Sequence, residues 1–515
     1  MKHPIHRHVI AWFAATALLL GLGFSAAQEP VYGGTLRVAS KAEPETLDQM
    51  WSTGDTIYWI ASQIFEGLFT YNENLEPQLM LAERHDISED GLVHTFHLRQ
   101  GILFHNGKEM TSADVVPSLN RWMDRAGIGG TMRDRTVSLE AVDDYTVRWE
   151  LSASTSSLVH ALANWSQGPV IFPSEVVEAA GSDRMIEEYI GTGPFEFVEW
   201  RRGSSVHLQR FEGYQPRDEE PDGTAGRRIA YVDEIVFSFV PETSVRLIGV
   251  VAGDLDYAIE ADREGVAPYI DDPEVQVFRA KAGTALLAPN HGGGLLADIR
   301  MREAVRAAFC VEDILQVYSS EEFYDIEPSV TGMGPWQTDV GDFAYDICDP
   351  ELARQLAADA GYDGSPIRIL FVTGDRTKMD MSLVIQAQLA AAGMNLEIVT
   401  LDSAAYGTRR QDRTSYEFLF NESSRRAHPI LHSHLPASGL SAWVNEEKEA
   451  LIDDLLEAVT QEDAFEVWER IERLWYEDVA TIKIGNFYDV NVARADVQGL
   501  VPFEWPFFWN VWLDR

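Results

Sequence analysis

The residues best suited to binding a ligand follow a strand-like pattern in the C-terminal third of the chain. Residues 416–420 alternate aromatic and aliphatic side chains, which is typical of a buried strand. The polar segment behind this strand ends at Pro429 and contains Asn421, Ser423, Arg425, Arg426 and His428. In α/β folds, hydrogen-bonding side chains at the C-terminal ends of strands form ligand sites. The pattern is equally typical of a solvated loop, so both interpretations stay open.

Three histidines close to this segment have spacing that could bind a metal. His428, His432 and His434 form an H-x3-H-x-H pattern, which would place two imidazoles on one face of a helix. Pro429 and Pro436 interrupt a regular helix there, and no cysteine is near. Loop histidines satisfied by hydrogen bonds are the commoner case, and metal binding stays as the alternative.

The motifs of several enzyme classes are absent from the sequence. There is no GxSxG, no HExxH, no P-loop and no GxGxxG after a strand pattern. With 82 acidic side chains, no single pair of carboxylates is informative. We therefore predict no catalytic residue and no cofactor, and we keep a secreted hydrolase as the alternative from another functional class.

Length and charge narrow the function classes. The 515 residues are enough for two or three domains, and 45% hydrophobic and 24% charged residues are typical of a globular protein. The formal net charge of -41 gives a surface that repels phosphate backbones and anionic lipids. Roles on nucleic acids or on membrane surfaces are therefore excluded.

The N-terminus has the pattern of a cleavable signal peptide. Lys2 and Arg7 precede an apolar run over residues 9–24, and Ser25-Ala26-Ala27 supplies small residues for cleavage after Ala27. No cysteine lies near that position, which disfavours a lipid anchor. We expect a soluble protein exported to the periplasm, with an uncleaved membrane anchor as the alternative.

Two cysteines, Cys310 and Cys348, are the only ones in the chain. In an oxidising compartment they could form a disulfide. Cys310 also ends an amphipathic helix pattern, where it would serve as a small buried apolar residue. The sequence leaves these two interpretations equal.

Secondary-structure patterns divide the chain into regions. Residues 68–190 mix strand, turn and helix patterns and indicate one α+β unit, which ends at the glycine-rich turn of residues 191–195. From about residue 285, helix and strand patterns alternate. This alternation predicts a βαβ-type domain with a parallel or mixed sheet.

Several of these segments together resemble a known family. In chain order, these segments are GGTLRVA, EPETLD, IFEGLFTY, GTGPFEF, YVDEIVFSFVPETSVRLIGVVAGDLDYA and IRMREAVRAAFCVEDI. They resemble the extracellular solute-binding proteins of peptide-type ABC importers, solute-binding family 5. The resemblance covers nearly the whole mature chain.

This resemblance implies an α/β fold of the bilobal, type II-like periplasmic binding protein class, with an extra α+β domain and a ligand cleft between the lobes. Domain I would comprise residues 28–67, 191–284 and 488–515. Domain II would comprise 68–190, and domain III 285–487. Such a protein is a monomer that catalyses nothing and needs no cofactor. It delivers a peptide or small solute to an ABC permease and ATPase complex at the inner membrane.

The resemblance also identifies residues 416–429 as the specificity loop. Family members carry a tryptophan and then Asp-Pro there, and the aspartate of peptide binders pairs with the free amine of the ligand. In this chain Ser423 replaces the tryptophan and His428 replaces the aspartate, with Arg425 and Arg426 just before it. Arginine suits carboxylate or phosphate. An anionic or hydroxyl-rich solute, or a modified peptide, is therefore favoured, with a nickel- or metallophore-binding member as the alternative.

Further ligand contacts are implied by position in the family pattern. The first loop supplies backbone and side-chain contacts from Trp51, Ser52, Thr53 and Gly54. Arg376 follows the strand pattern of residues 367–372, where peptide binders can place a carboxylate-binding arginine. Trp443 precedes a long helix pattern and is expected to stack on the ligand.

Overall fold

We describe the protein from a computed structural model. The structure describes residues 29–515 apart from residues 156, 333, 424, 425, 438 and 459, and it leaves undescribed the side chains of residues 281, 282, 403, 404 and 423. The predicted signal peptide, with its cleavage after Ala27, lies outside the described residues. Within the described part of the chain, no helix is long and apolar enough to cross a membrane.

The strands occur where the sequence alternates or is continuously apolar. They are β1 Thr35–Ser40, β2 Phe69–Tyr71, β3 Pro77–Leu79, β4 Ala82–Ile87, β5 Val93–Leu98, β6 Thr136–Asp143, β7 Thr146–Leu151, β8 Phe195–Arg201, β9 Ser205–Arg210, β10 Glu234–Phe239, β11 Tyr257–Ala258, β12 Val275–Pro289, β13 Tyr324–Asp325, β14 Ile367–Val372, β15 Leu396–Leu401, β16 Phe418–Ser423, β17 Ile482–Arg494, β18 Val497–Gln498 and β19 Trp512–Leu513.

The helices begin mostly at polar capping residues. They are α1 Asp55–Ile64, α2 Ser112–Arg125, α3 Gly127–Arg135, α4 Ser157–Ala163, α5 Ser174–Ala180, α6 Thr243–Val251, α7 Ile299–Ala307, α8 Val311–Gln316, α9 Pro350–Asp359, α10 Arg376–Ala391, α11 Ser403–Arg409, α12 Glu446–Glu457 and α13 Gln461–Glu477. Short 3-10 turns cover Ala267–Tyr269, Leu295–Ala297, Glu321–Phe323 and Pro429–Leu431.

One mixed sheet runs through the molecule. Its strand order is β15-β14-β16-β12-β17-β11-β1-β10-β9-β8, and β13 pairs with β17. Strand β14 is parallel to β15 and β16, and β1 is parallel to β10 and β11. The long strands β12 and β17 are antiparallel to each other. This mixed sheet, with helices packed on it, confirms the predicted α/β class.

The strands β12 and β17 join two halves of the molecule. At one end β17 pairs with β11, and at the other end β12 pairs with β16. We call the half built on β1 and β8–β11, together with α1–α6 and β2–β7, the first lobe. The half built on β14–β16 with α7–α13 is the second lobe. The pairing of β12 with β17 shifts register between Lys281 and Gly283 and again between Ala285 and Leu286, which interrupts the ladder between the lobes.

The first lobe contains a separate antiparallel sheet of order β4-β5-β7-β6. Helix α2 begins beside it with a capping box, in which Thr111 and Asp114 satisfy each other's backbone N–H groups. This sheet and its helices lie within residues 68–190. The predicted limits at 284/285 and 487/488 fall inside β12 and β17, and the domain limits remain predictions.

A disulfide joins Cys310 and Cys348 in the second lobe, which decides between the two interpretations that the sequence left equal. Cys310 precedes α8 and Cys348 lies just before α9, and the backbone N–H of Cys348 donates to the carbonyl of Phe309. The bond therefore fixes the α7–α8 corner to the start of α9.

We expect reduction of this disulfide to lower the free energy of unfolding by about 2–4 kcal/mol, because it closes a loop with a sequence separation of 38 residues. Thermal unfolding with and without a thiol reductant measures the loss. A variant with both cysteines changed to alanine serves as the control, since its thermal unfolding transition should not depend on the reductant. Equal transitions of the oxidised and reduced wild-type protein would contradict the expectation.

Candidate functional site

The loop after β16 reaches from the second lobe to the first lobe. Ala427 is buried and belongs to the apolar cluster of the first lobe. The ring of His428 lies 4.7 Å from the ring of His160 on α4 and 4.6 Å from that of Trp336. The indole N–H of Trp336 donates to the carbonyl of Ala427 over 2.8 Å. The predicted specificity loop is therefore clamped between the two lobes.

The guanidinium of Arg426 lies at this interface and has no ion-pair partner among the described residues. It is partly buried, and its Nε is buried with no hydrogen bond. Burial lowers the pKa of the guanidinium, and only Tyr58 of α1 acts electrostatically in the opposite direction. Among the described residues, no carboxylate compensates Arg426. Tyr58 of the first lobe therefore lies within electrostatic range of Arg426 in the second lobe.

Two more buried imidazoles lie on the second-lobe side of the contact between the lobes. His432 is 2% exposed and His434 is 0% exposed, and the Nδ1 atom of each is buried without a partner. Burial and, to a smaller extent, the charge of Arg426 together lower the pKa of His434 to about 4. Asn421 lies beside His434, with its Nδ2 2.9 Å from Nε2 of the ring. At neutral pH, His432 and His434 are therefore uncharged, whereas Arg426 carries a positive charge.

Aromatic rings form the first-lobe side. The ring of Trp505 lies 6.1 Å from that of Tyr58 and 4.8 Å from that of Trp165. Behind these rings is a cavity of about 50 Å³, enough for a few water molecules but not for a solute. Water there would satisfy the indole Nε1 of Trp505, which is buried without a hydrogen bond. The three rings line this cavity within the first lobe.

A network of charged side chains lies next to Tyr58. Lys41 Nζ is 2.6 Å from a carboxylate oxygen of Asp55 and 2.9 Å from one of Glu260. Burial raises the pKa of Glu260, and the neighbouring Asp489 raises it further. Glu260 has a φ of 49°, in the left-handed region that non-glycine residues seldom adopt. Such local strain is frequent at functional sites.

The predicted first-loop contacts lie elsewhere. The ring of Trp51 stacks under the guanidinium of Arg125, 3.9 Å from ring centroid to Cζ, and lines a surface groove with residues of α5. Ser52 accepts a hydrogen bond from Gly54, and Thr53 is exposed. The residue of this region that meets Arg426 is Tyr58, one turn into α1. Ligand contact by Trp51, Ser52, Thr53 and Gly54 remains a prediction without support from these placements.

Two other predicted contacts, Arg376 and Trp443, have described surroundings, and their roles as ligand contacts remain predictions. The side chain of Arg376 is 85% exposed at the start of α10 and faces Asp380 at 3.6 Å. Trp443 is 1% exposed in the apolar core around Trp475, and its indole N–H donates to Asp478. Arg376 is therefore a surface residue, and Trp443 is a core residue.

Arg425 lies outside the described residues, and the side chain of Ser423 is not described. The arginine that the structure does place, Arg426, is the one that meets the first lobe.

The three histidines do not converge. The His428 ring contacts His160 and Trp336, whereas His432 and His434 pack on Trp475. Among the described residues, no group of three His, Cys, Asp or Glu side chains could hold a metal ion. The geometry therefore gives the metal alternative no support.

Several cleft residues were missed from the sequence. Tyr58 and Asp55 share one face of α1, so the helix pattern could have indicated them. His160 lies in an apolar helix, and its position opposite His428 leaves no trace in the sequence. Lys41 and Glu260 meet only through the pairing of β1 with β11.

Comparison with protein families gives a match over most of the chain. The model described as "Bacterial extracellular solute-binding proteins, family 5 Middle" matches residues 76–426. A protein of Sinorhizobium fredii, named "Probable peptide ABC transporter periplasmic-binding protein y4tO", is 27% identical over 473 residues, which is 88% of each chain.

Solved structures agree on the fold. The ABC transporter substrate-binding protein CtaP of Listeria monocytogenes superposes with a TM-score of 0.81 at 19% identity, covering 94% of this chain and 100% of CtaP. AgaA of A. tumefaciens R10, in complex with agropinic acid, has a TM-score of 0.77 at 21% identity and covers 94% and 99%. These likenesses confirm the bilobal periplasmic binding protein fold.

Proposed function

The chain belongs to the bacterial extracellular solute-binding proteins of family 5, and on this premise we propose that it captures an oligopeptide or similar small organic solute for an ABC importer. Proteins of this family are transport binding proteins rather than enzymes. The secreted hydrolase alternative is therefore set aside. The protein would work in the periplasm and deliver its solute to a membrane permease driven by ATPases.

The observation that carries this proposal is the interface between the lobes. The ring of His428 in the second lobe contacts that of His160 in the first lobe, and Arg426 lies within electrostatic range of Tyr58. Strands β12 and β17 continue from one lobe into the other. Two lobes joined by continuous strands can open and close around an enclosed solute, as in other hinged binding proteins. Aromatic walls and a few placed polar groups are what such solute sites use.

The test is the identity of the solute that the protein retains. Native mass spectrometry of freshly exported protein, followed by release under denaturing conditions, should yield a small organic molecule bound one to one. Adding the same molecule to stripped protein should raise the unfolding temperature, since a ligand that binds only the folded state stabilises it. The proposal fails if neither retained nor added solutes, including peptides of several lengths, bind.

A further inference from the structure

Resting on the proposed function, we infer that the solute carries an anionic group, a carboxylate or a phosphate, which Arg426 binds at the interface between the lobes. The imidazole of His434 forms a polar wall beside this group.

The first support is the uncompensated charge of Arg426. The chain has 82 acidic side chains against 41 basic ones, so a carboxylate partner is easily available to a typical arginine. Arg121, Arg217 and Arg228, all more deeply buried, each have such a partner. Among the described residues, Arg426 has none. A partly buried charge without a partner is costly, so a ligand anion is the natural complement.

The second support is the protonation of His434. Nδ2 of Asn421 donates to Nε2 of His434, so the proton of the neutral ring is on Nδ1. That Nδ1–H group is buried and makes no hydrogen bond to a described residue. An unpaired N–H donor beside an unpaired guanidinium favours an acceptor such as a carboxylate or phosphate oxygen.

The third support is that Arg426 makes neither of the contacts that can replace an ion pair, which are stacking on an aromatic ring and donation to a carbonyl. Other arginines of the chain stack on aromatic rings, such as Arg125 on Trp51 and Arg263 on Tyr318. Within the described residues, Arg426 stacks on no ring and donates to no carbonyl. Its guanidinium is therefore free to bind the solute.

The experiment compares Arg426→Met with Arg201→Met. Both variants remove one arginine, but the side chain of Arg201 is 68% exposed and pairs with Glu199 on the surface of β8. Cargo released from each protein is quantified, and its acid groups are identified by methyl-ester formation for a carboxylate and by phosphatase treatment for a phosphate. We expect an acidic cargo in the wild-type protein, about 10- to 100-fold weaker binding of it by Arg426→Met, and unchanged binding by Arg201→Met.

If no cargo is retained, added peptides are compared as free acids and as C-terminal amides, together with inorganic phosphate. Preference for the free acid or for phosphate that disappears in Arg426→Met supports the inference. A neutral or cationic cargo, or equal binding by wild type and Arg426→Met, overturns it while leaving the proposed function intact. Failure of every solute overturns both.

The unfolding temperature of the solute-free protein separates a role of Arg426 in binding from a role in stabilising the fold. Removal of an uncompensated buried charge should leave the unfolding temperature of the stripped protein unchanged or higher in Arg426→Met. A lowered unfolding temperature of the stripped variant would indicate that Arg426 supports the fold and would overturn the inference.

Discussion

Solute affinity is expected to fall about 100-fold when the pH is lowered from about 7.5 to about 5.5, because the contact between the lobes includes two neutral imidazoles. The rings of His160 and His428 lie 4.7 Å apart and come from opposite lobes. Burial lowers the pKa of His160 to about 3, and burial followed by the neighbouring His160 lowers that of His428. Both rings are therefore neutral when the lobes are closed.

The direction of this pH effect follows from the protons that the two histidines take up when the lobes open. In the open form the two rings meet water and regain a pKa near 6.5, so the open form binds protons that the closed form excludes. Lowering the pH below about 6.5 thus favours opening, by roughly 10-fold for each ring at about pH 5.5. His160 packs on Tyr71 and Trp336, and no carboxylate is among the groups that shift either pKa. No acidic side chain offsets the effect at these rings.

Titration of the solute affinity in His160→Phe isolates this effect. The variant keeps an aromatic ring against Trp336 and should show about a 10-fold rather than a 100-fold loss across the same pH range. Glu260, whose pKa burial raises, would act in the opposite direction in both proteins and therefore cancels in the comparison. The matched control is His207→Gln, because His207 is partly exposed on β9 and pairs with Glu234 of β10 rather than with either ring of the contact. The same pH profile in His160→Phe and wild type would refute the expectation.

Loss of the Asp48 carboxylate is expected to lower the free energy of unfolding by about 3–5 kcal/mol. Asp48 forms an ion pair with Arg121 of α2, and the two side chains are 0% and 2% exposed. The same carboxylate accepts from the backbone N–H of Ile186 over 3.0 Å. It therefore ties the turn after β1 to α2 and to the segment after α5.

The comparison of Asp48→Ala with Glu351→Ala by chemical denaturation tests this expectation. Glu351 pairs with Arg354 on the surface, with side chains 82% and 50% exposed, and its loss should cost less than about 1 kcal/mol. In Asp48→Ala, Arg121 would keep only carbonyl partners, those of Gly181 and Arg184. The added change Arg121→Met should recover part of the loss, since it removes the unpaired charge. Equal losses in the two alanine variants would contradict the expectation.

The sequence determined the family and the local structure of this protein. The strand predicted at residues 416–420 occurs as β16 at Phe418–Ser423, so that Asn421, assigned to the loop from the sequence, lies in the strand. The Thr111–Asp114 pattern produced the capping box of α2. Such features depend on neighbours in the chain, because strand and cap geometry are set within a few residues. The family resemblance came from the order of these local segments, and the comparisons confirm it. The replacement of an acidic residue by His428, with arginines before it, is also visible in the sequence alone.

Only the tertiary structure decided which side chains share the cleft. From the sequence, Arg376 and Arg426 were equal candidates, yet one is exposed on α10 and the other lies against Tyr58. The contact of His428 with His160 and the bond of Cys310 with Cys348 join residues far apart in the chain. Their pairing depends on how lobes and helices pack, a property of the whole chain that no local pattern specifies.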